Sequence, residues 1–116
     1  MYAHDEPGDQ WTQLPPAAQV EVATNSLRML ADPGRLRMLW LLSGDEYDVA
    51  SLAESIGIAR PAVSQHLAKL RLAGLVSQRR DGRRVLYRAR GGHVRRLLVE
   101  AMNAADHHLH DIPDHD

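Results

Sequence analysis

The stretch from Asp48 to Arg90 leaves this chain few folds to choose from. It reads DVASLAESIG, then IARPAVSQHLAKLRLAGL, then VSQRRDGRRVLYRAR. Asp48 can cap a helix whose Val49, Leu52, Ala53 and Ile56 recur at three- and four-residue spacing, and Gly57 supplies the left-handed residue that closes it. After Ile58, Pro61 falls in the first turn of another helix, where its missing N–H costs nothing, and Val63, Leu67 and Leu70 mark the inward side. Two β-prone runs, Val76 to Arg80 and Arg84 to Arg88, bracket Asp81-Gly82, a two-residue turn signal, with Val76, Val85 and Tyr87 available for packing. Helix, tight turn, helix and hairpin in that order describe a winged helix-turn-helix.

Subtracting the inward stripe of the second helix leaves Arg60, Ser64, Gln65, His66 and Lys69 toward its N-terminal and exposed sides. Hydroxyl and amide groups that can bond base edges, beside cations for phosphates, suit a helix entering a major groove. An ordinary solvated face would look similar, but the neighbouring helix, turn and hairpin favour the DNA-reading alternative. Arg79, Arg80, Arg83 and Arg84 crowd the hairpin tip, where like charges repel unless an anionic partner offsets them. A wing on the DNA backbone explains this; a turn that merely aids solubility is the other reading. The net charge of −1 conceals the asymmetry, because from Arg60 to Arg96 the only acid is Asp81. The compensating acids sit at the two ends of the chain and in the loop of Asp45, Glu46 and Asp48, and local charge makes a phosphate footprint.

The flanking segments read as scaffold and dimer surface. Residues 1–13 form a polar tail whose His4 and Asp5 either reach a metal or stay solvated, unless Tyr2 or Trp11 docks it. A first helix runs from Pro15 or Pro16 to Ala31, with Val20, Ala23, Leu27 and Leu30 as a single buried stripe. Asp32-Pro33 caps and starts a second, carrying Leu36, Leu39, Trp40 and Leu42, with Trp40 expected in the core and Ser43-Gly44 as the stop. Gly91-Gly92 breaks the last strand, and a final helix from about His93 to Leu109 presents Val94, Leu97, Leu98, Ala101 and Ala105. Placed after the wing, this helix is expected to pair with its twin in a two-fold homodimer, the first helix beside it, rather than cover the same core. The expected architecture is mainly α, five helices and two strands, with one domain over 14–110 and a His/Asp tail over 111–116.

Cysteine is absent, so disulfides and thiolate metal sites are excluded and any metal site must use His and carboxylates. Four of the seven histidines, His107, His108, His110 and His115, fall in the final ten residues among Asp106, Asp111, Asp114 and Asp116. His93 and His107 project within roughly 40° of each other but lie about 21 Å apart along one helix axis. They cannot share an ion within one helix. In an antiparallel pair, His93 of one copy meets His107 of the other, giving two symmetric sites. Asp106, His110 or Asp111 can add ligands, and a folded-over tail can bring His115 and Asp116. Imidazole with carboxylate suits nickel, cobalt or zinc; a solvated polar tail is the plain alternative.

No apolar run approaches the roughly 20 residues of a membrane span, and the acidic N-terminus is unlike a signal peptide, so a cytoplasmic location is expected. No organic cofactor and no enzymatic activity are expected. A small metal-dependent hydrolase would need a pocket, yet the apolar groups are consumed by five short helices and a hairpin. A metal buffer would leave the basic hairpin unexplained. A repressor that answers a small ligand, or pH through imidazole protonation, is the nearer rival.

The segments RMLADPGRLRMLWLL, LAESIGIARPAVSQHLAKLRLAGLV and RRDGRRVLYRA together resemble the ArsR/SmtB family of dimeric winged-helix repressors over about residues 15 to 110. The resemblance implies an apo-dimer that represses an operator and an inducer that weakens DNA binding, with last-helix sites sensing zinc, nickel or cobalt and controlling metal export or sequestration. Gly91 and Ala104 stand where the common last-helix pattern has Asp and His. His93, the Asp106-His107 pair and the tail's Ile112-Pro113 with His115 and Asp116 are more similar to the nickel/cobalt-sensing branch.

Overall fold

A computed structural model of the chain describes residues 11–111. Tyr2, His4, Asp5, His115 and Asp116 therefore lie outside the described residues. Within them the order is α1 (Ala17–Leu30), α2 (Pro33–Leu42), α3 (Val49–Ile56), α4 (Arg60–Leu72), β1 (Val76–Asp81), β2 (Arg84–Ala89) and α5 (Gly91–Asp111). The two strands form an antiparallel hairpin.

Short polar contacts fix the corners. The Asp32 carboxylate accepts the Arg35 backbone N–H at 3.0 Å, with Pro33 as the first helical residue of α2. Arg35 Nε also donates to the Met29 carbonyl at 2.8 Å, so one corner ties α1 to α2 and satisfies a carbonyl of the last turn of α1. Asp48 caps α3 by accepting the Ser51 N–H at 2.8 Å, and Gly57 ends it at φ 82°. The hairpin turn falls one residue later than expected. Asp81 pairs with Arg84, leaving Gly82 and Arg83 as the loop. Among the described residues only glycines have positive φ, and Gly82 is at 65°, so the turn has the II′ pattern with Gly first; an Asp81-Gly82 loop of the I′ kind would put Asp81 there too.

The core is aliphatic: Met38, Leu39 and Leu42 of α2, Leu52 of α3, Val63, Leu67 and Leu70 of α4, Val76 of β1, and Val94 and Leu98 of α5. Burying each such side chain stabilises the fold by about 1.5–3 kcal/mol relative to exposure. Most of the inward stripes read from the sequence are found there, with three corrections. Trp40 is not a core residue but is 47% exposed. The stripe of α1 is not buried within the protomer, because Val20, Ala23 and Leu27 are open and only Leu30 reaches the core. Conversely, α5 does cover the common core through Val94 and Leu98, four residues apart, while Leu97, Ala101 and Ala105 beside them stay exposed. α5 also starts two residues earlier and ends two later than expected, which makes Asp111 helical.

Candidate functional site

α4 rests on the core through Val63, Leu67 and Leu70 and turns Arg60, Ser64, Gln65 and Lys69 outward. Arg60 and Ser64 are one turn apart on a single row, so cation, hydroxyl and amide share the open surface of one helix. His66 departs from this face. It is half-buried, its ring lies near Asp32 and Gly34 at the start of α2, and its Nδ1 is buried without a hydrogen-bond partner. Its place is the α2–α4 joint, because position 66 falls between the exposed row and the buried one.

All four wing arginines are exposed, but they are not equivalent. Arg79 makes a two-pronged contact with Glu46, Nε to Oε2 at 2.7 Å and Nη2 to Oε1 at 2.8 Å. Arg84 Nε donates to Asp48 Oδ2 at 3.1 Å. The expectation of four uncompensated cations thus fails for two of them, since the acidic loop folds against the hairpin. The loop is set there by backbone pairing: Tyr47 N–H donates to the Tyr87 carbonyl at 3.0 Å, and Tyr87 N–H to the Tyr47 carbonyl at 2.8 Å. The sequence contained all these residues, but opposite charges 33 and 36 positions apart give no signal of pairing.

Three carboxylates are held below their ordinary range. For Asp32 the main cause is the hydrogen bond from the Arg35 backbone, for Glu46 the bond from Arg79, and for Asp48 the bond from the Ser51 backbone. The Arg79 guanidinium is correspondingly pushed up by Glu46. A carboxylate with a lower folded than unfolded pKa makes the unfolded chain bind more protons. Its contribution is complete above the unfolded value of about 4 and is lost as pH falls through the folded one. Urea midpoints should hold steady from pH 7 to about 5 and fall toward pH 3, and Glu46→Gln should make the fall shallower.

His93, Asp106, His107 and His110, the candidate metal ligands among the described residues, lie exposed along α5. Arg96 Nη2 donates to His93 Nδ1 at 2.9 Å, so Nδ1 is the unprotonated nitrogen and Nε2 carries the hydrogen. Gly92 permits this, because a Cβ there would sit 2.9 Å from Arg96 Nη1. His110 is set the opposite way: Nδ1 donates to the Asp106 carbonyl at 2.8 Å, with Asp106 Oδ1 at 3.2 Å, which leaves the Nε2 lone pair facing outward. His107 is exposed on the same helix. The donors are all nitrogen and oxygen, a set that fits nickel, cobalt or zinc, yet among the described residues no three of them gather into a site within one protomer. His115 and Asp116 are outside the described residues.

A helical core, an exposed polar face on α4 and a basic hairpin define a winged helix-turn-helix, DNA-binding transcription regulator. The family profile for "Bacterial regulatory protein, arsR family" matches residues 32–78. The HTH-type transcriptional regulator KmtR of Mycobacterium tuberculosis is 47% identical over 100 residues, covering 86% of this chain and 77% of that protein. The HTH-type transcriptional repressor SmtB of the same species is 32% identical over 105 residues, 85% of this chain and 78% of that one. Among solved structures, a homodimeric winged helix-turn-helix DNA-binding domain from Mycobacterium bovis matches with a TM-score of 0.74 at 35% identity, covering 80% of this chain and 86% of that one. The chain belongs to the ArsR/SmtB family of transcriptional repressors. These relatives are regulators, not enzymes, and no helix among the described residues is long and apolar enough to cross a membrane.

Proposed function

We propose that this protein is a homodimeric, metal-responsive repressor that holds operator DNA in its metal-free form, in the cytoplasm, and lets go when its last-helix histidines are ligated. The genes released would serve metal export or homeostasis. The observation that carries this reading is the set of exposed imidazoles and carboxylates on α5, which no single protomer assembles into a site among the described residues. A divalent nickel or cobalt ion, with zinc as the alternative, would supply bonds joining His93 of one copy to His107 of a second, with Asp106, His110, His115 and Asp116 as further donors.

On the DNA side, Ser64 and Gln65 address base edges, while Arg60, Lys69, Arg80 and Arg83 address phosphates. His66 acts from behind, at the joint with α2. His93 must break its bond with Arg96 before its ring can serve as a ligand through either nitrogen, whereas His110 already presents Nε2. The histidines weaken operator binding only to the extent that they are better ligands in the DNA-free dimer than in the DNA-bound one, a coupling of about 1–3 kcal/mol in comparable switches.

Fluorescence anisotropy on DNA from the protein's own promoter tests the reading. Apo-protein should bind, and one of nickel, cobalt or zinc, added separately, should release the DNA at one ion per subunit. If apo-protein binds and no ion alters the titration, the metal half of the reading fails and the repressor answers another signal.

A further inference from the structure

The acidic loop between α2 and α3 grips the wing at three points. Tyr47 pairs by backbone with Tyr87, Glu46 occupies the fork of Arg79, and Asp48 holds Arg84. The carboxylates take up donors that a phosphate could use: Glu46 both parallel N–H groups of Arg79, and Asp48 the Nε–H of Arg84. We infer that Glu46 and Asp48 set how many phosphates the hairpin tip can hold: they occupy Arg79 and Arg84, so that of the four arginines at the tip Arg80 and Arg83 are the ones left for phosphates.

The geometry separates this role from simple positioning of the wing. The loop stays in register with β2 through the Tyr47–Tyr87 backbone bonds, which carry no charge and do not need the carboxylates. Asp48 also divides its work, Oδ1 capping α3 through Ser51 N–H and Oδ2 holding Arg84. An amide at either position keeps an acceptor oxygen and removes the charge. Non-specific DNA binding is almost wholly electrostatic, whereas operator binding also draws on base contacts. A phosphate contact contributes alike to both, so occupying two arginines weakens binding to random sequence and to the operator by the same factor and lowers the salt dependence of each.

The inference rests on the wing contacting DNA, and the test separates the two. Binding to a short random-sequence duplex is measured against salt for the wild type, for Glu46→Gln/Asp48→Asn, and for Arg80→Ala/Arg83→Ala. Each freed arginine that reaches a phosphate should steepen the slope of log K against log salt by about 0.9, so the double amide variant should be steeper by up to about 2. Operator and random-sequence affinity should rise together in the same variant. Arg79→Gln should leave the slope unchanged in the wild type but lower it by about 0.9 in a Glu46→Gln background. That asymmetry distinguishes an occupied arginine from a carboxylate that merely repels DNA. If Arg80→Ala/Arg83→Ala fails to flatten the slope, the wing is off the DNA and the interface reading falls. If it does flatten the slope but the double amide variant matches the wild type, or Arg79→Gln alone flattens it, the clasp inference is wrong while the interface stands.

Discussion

Replacing His93 or His107 with alanine should leave operator affinity within a few-fold of wild type and abolish the metal response. Both side chains are exposed and neither belongs to the core, so truncation removes no packing and creates no cavity. A coupling of about 1–3 kcal/mol corresponds to a five- to 150-fold weakening of DNA binding by metal, and that factor should collapse to one in each variant. Arg96→Ala is an informative companion. It frees His93 Nδ1 from the guanidinium that now bonds it, so metal affinity should rise while apo-protein still binds operator. Titration calorimetry and anisotropy on the same samples separate the two quantities. Loss of operator binding in both histidine variants would show that these residues serve the DNA-bound structure itself. A preserved metal response in both would move the site off His93 and His107.

Local physics made much of this fold readable. The caps Asp32 and Asp48, the closing Gly57 and the early Pro33 and Pro61 each act within a turn of chain, so spacing alone predicts where α2, α3 and α4 begin and where α3 ends. Periodicity likewise identifies Val63, Leu67 and Leu70 as the buried side of α4. What spacing cannot supply is the partner of an apolar stripe. α1 and α5 both carry one, yet Leu30 alone of the α1 stripe finds the protomer core, while Val94 and Leu98 of α5 do. Trp40 shows the same ambiguity, since a ring among leucines reads as core but here lines a groove with Ser43, Leu98 and Val99. In the candidate site, Arg60, Ser64, Gln65 and Lys69 of α4 followed by subtraction from the buried stripe, whereas His66, named by the same subtraction, is half-buried at the joint with α2. The masking of Arg79 and Arg84 did not, because it depends on a loop 33 and 36 residues distant folding back on the hairpin. The tautomers of His93 and His110 depend on which neighbour reaches Nδ1 and are invisible at the level of sequence.

Introducing glutamate at Leu27 and Leu97 together should convert the protein to a monomer and weaken operator binding by about 10²–10⁴-fold, the loss expected when two linked half-site contacts become independent. Leu27 is 53% and Leu97 46% exposed, so the protomer should tolerate both charges. In the isolated protomer these residues lie open along with Val20, Val22 and Leu109, apolar side chains on the two helices that the protomer itself does not cover. The protomer is also expanded, with a radius of gyration of 17.7 Å where a compact chain of this length would have about 13 Å. A second copy related by a two-fold axis would cover these side chains and set two α4 helices at a fixed separation, which is what two successive major grooves require. Sedimentation velocity and anisotropy would read mass and affinity together, with circular dichroism checking that the helices persist. A variant that remains dimeric with wild-type affinity would place the seam elsewhere. A folded monomer with undiminished operator affinity would show that one winged helix suffices, and would remove the geometric basis on which ligation at α5 is expected to loosen DNA.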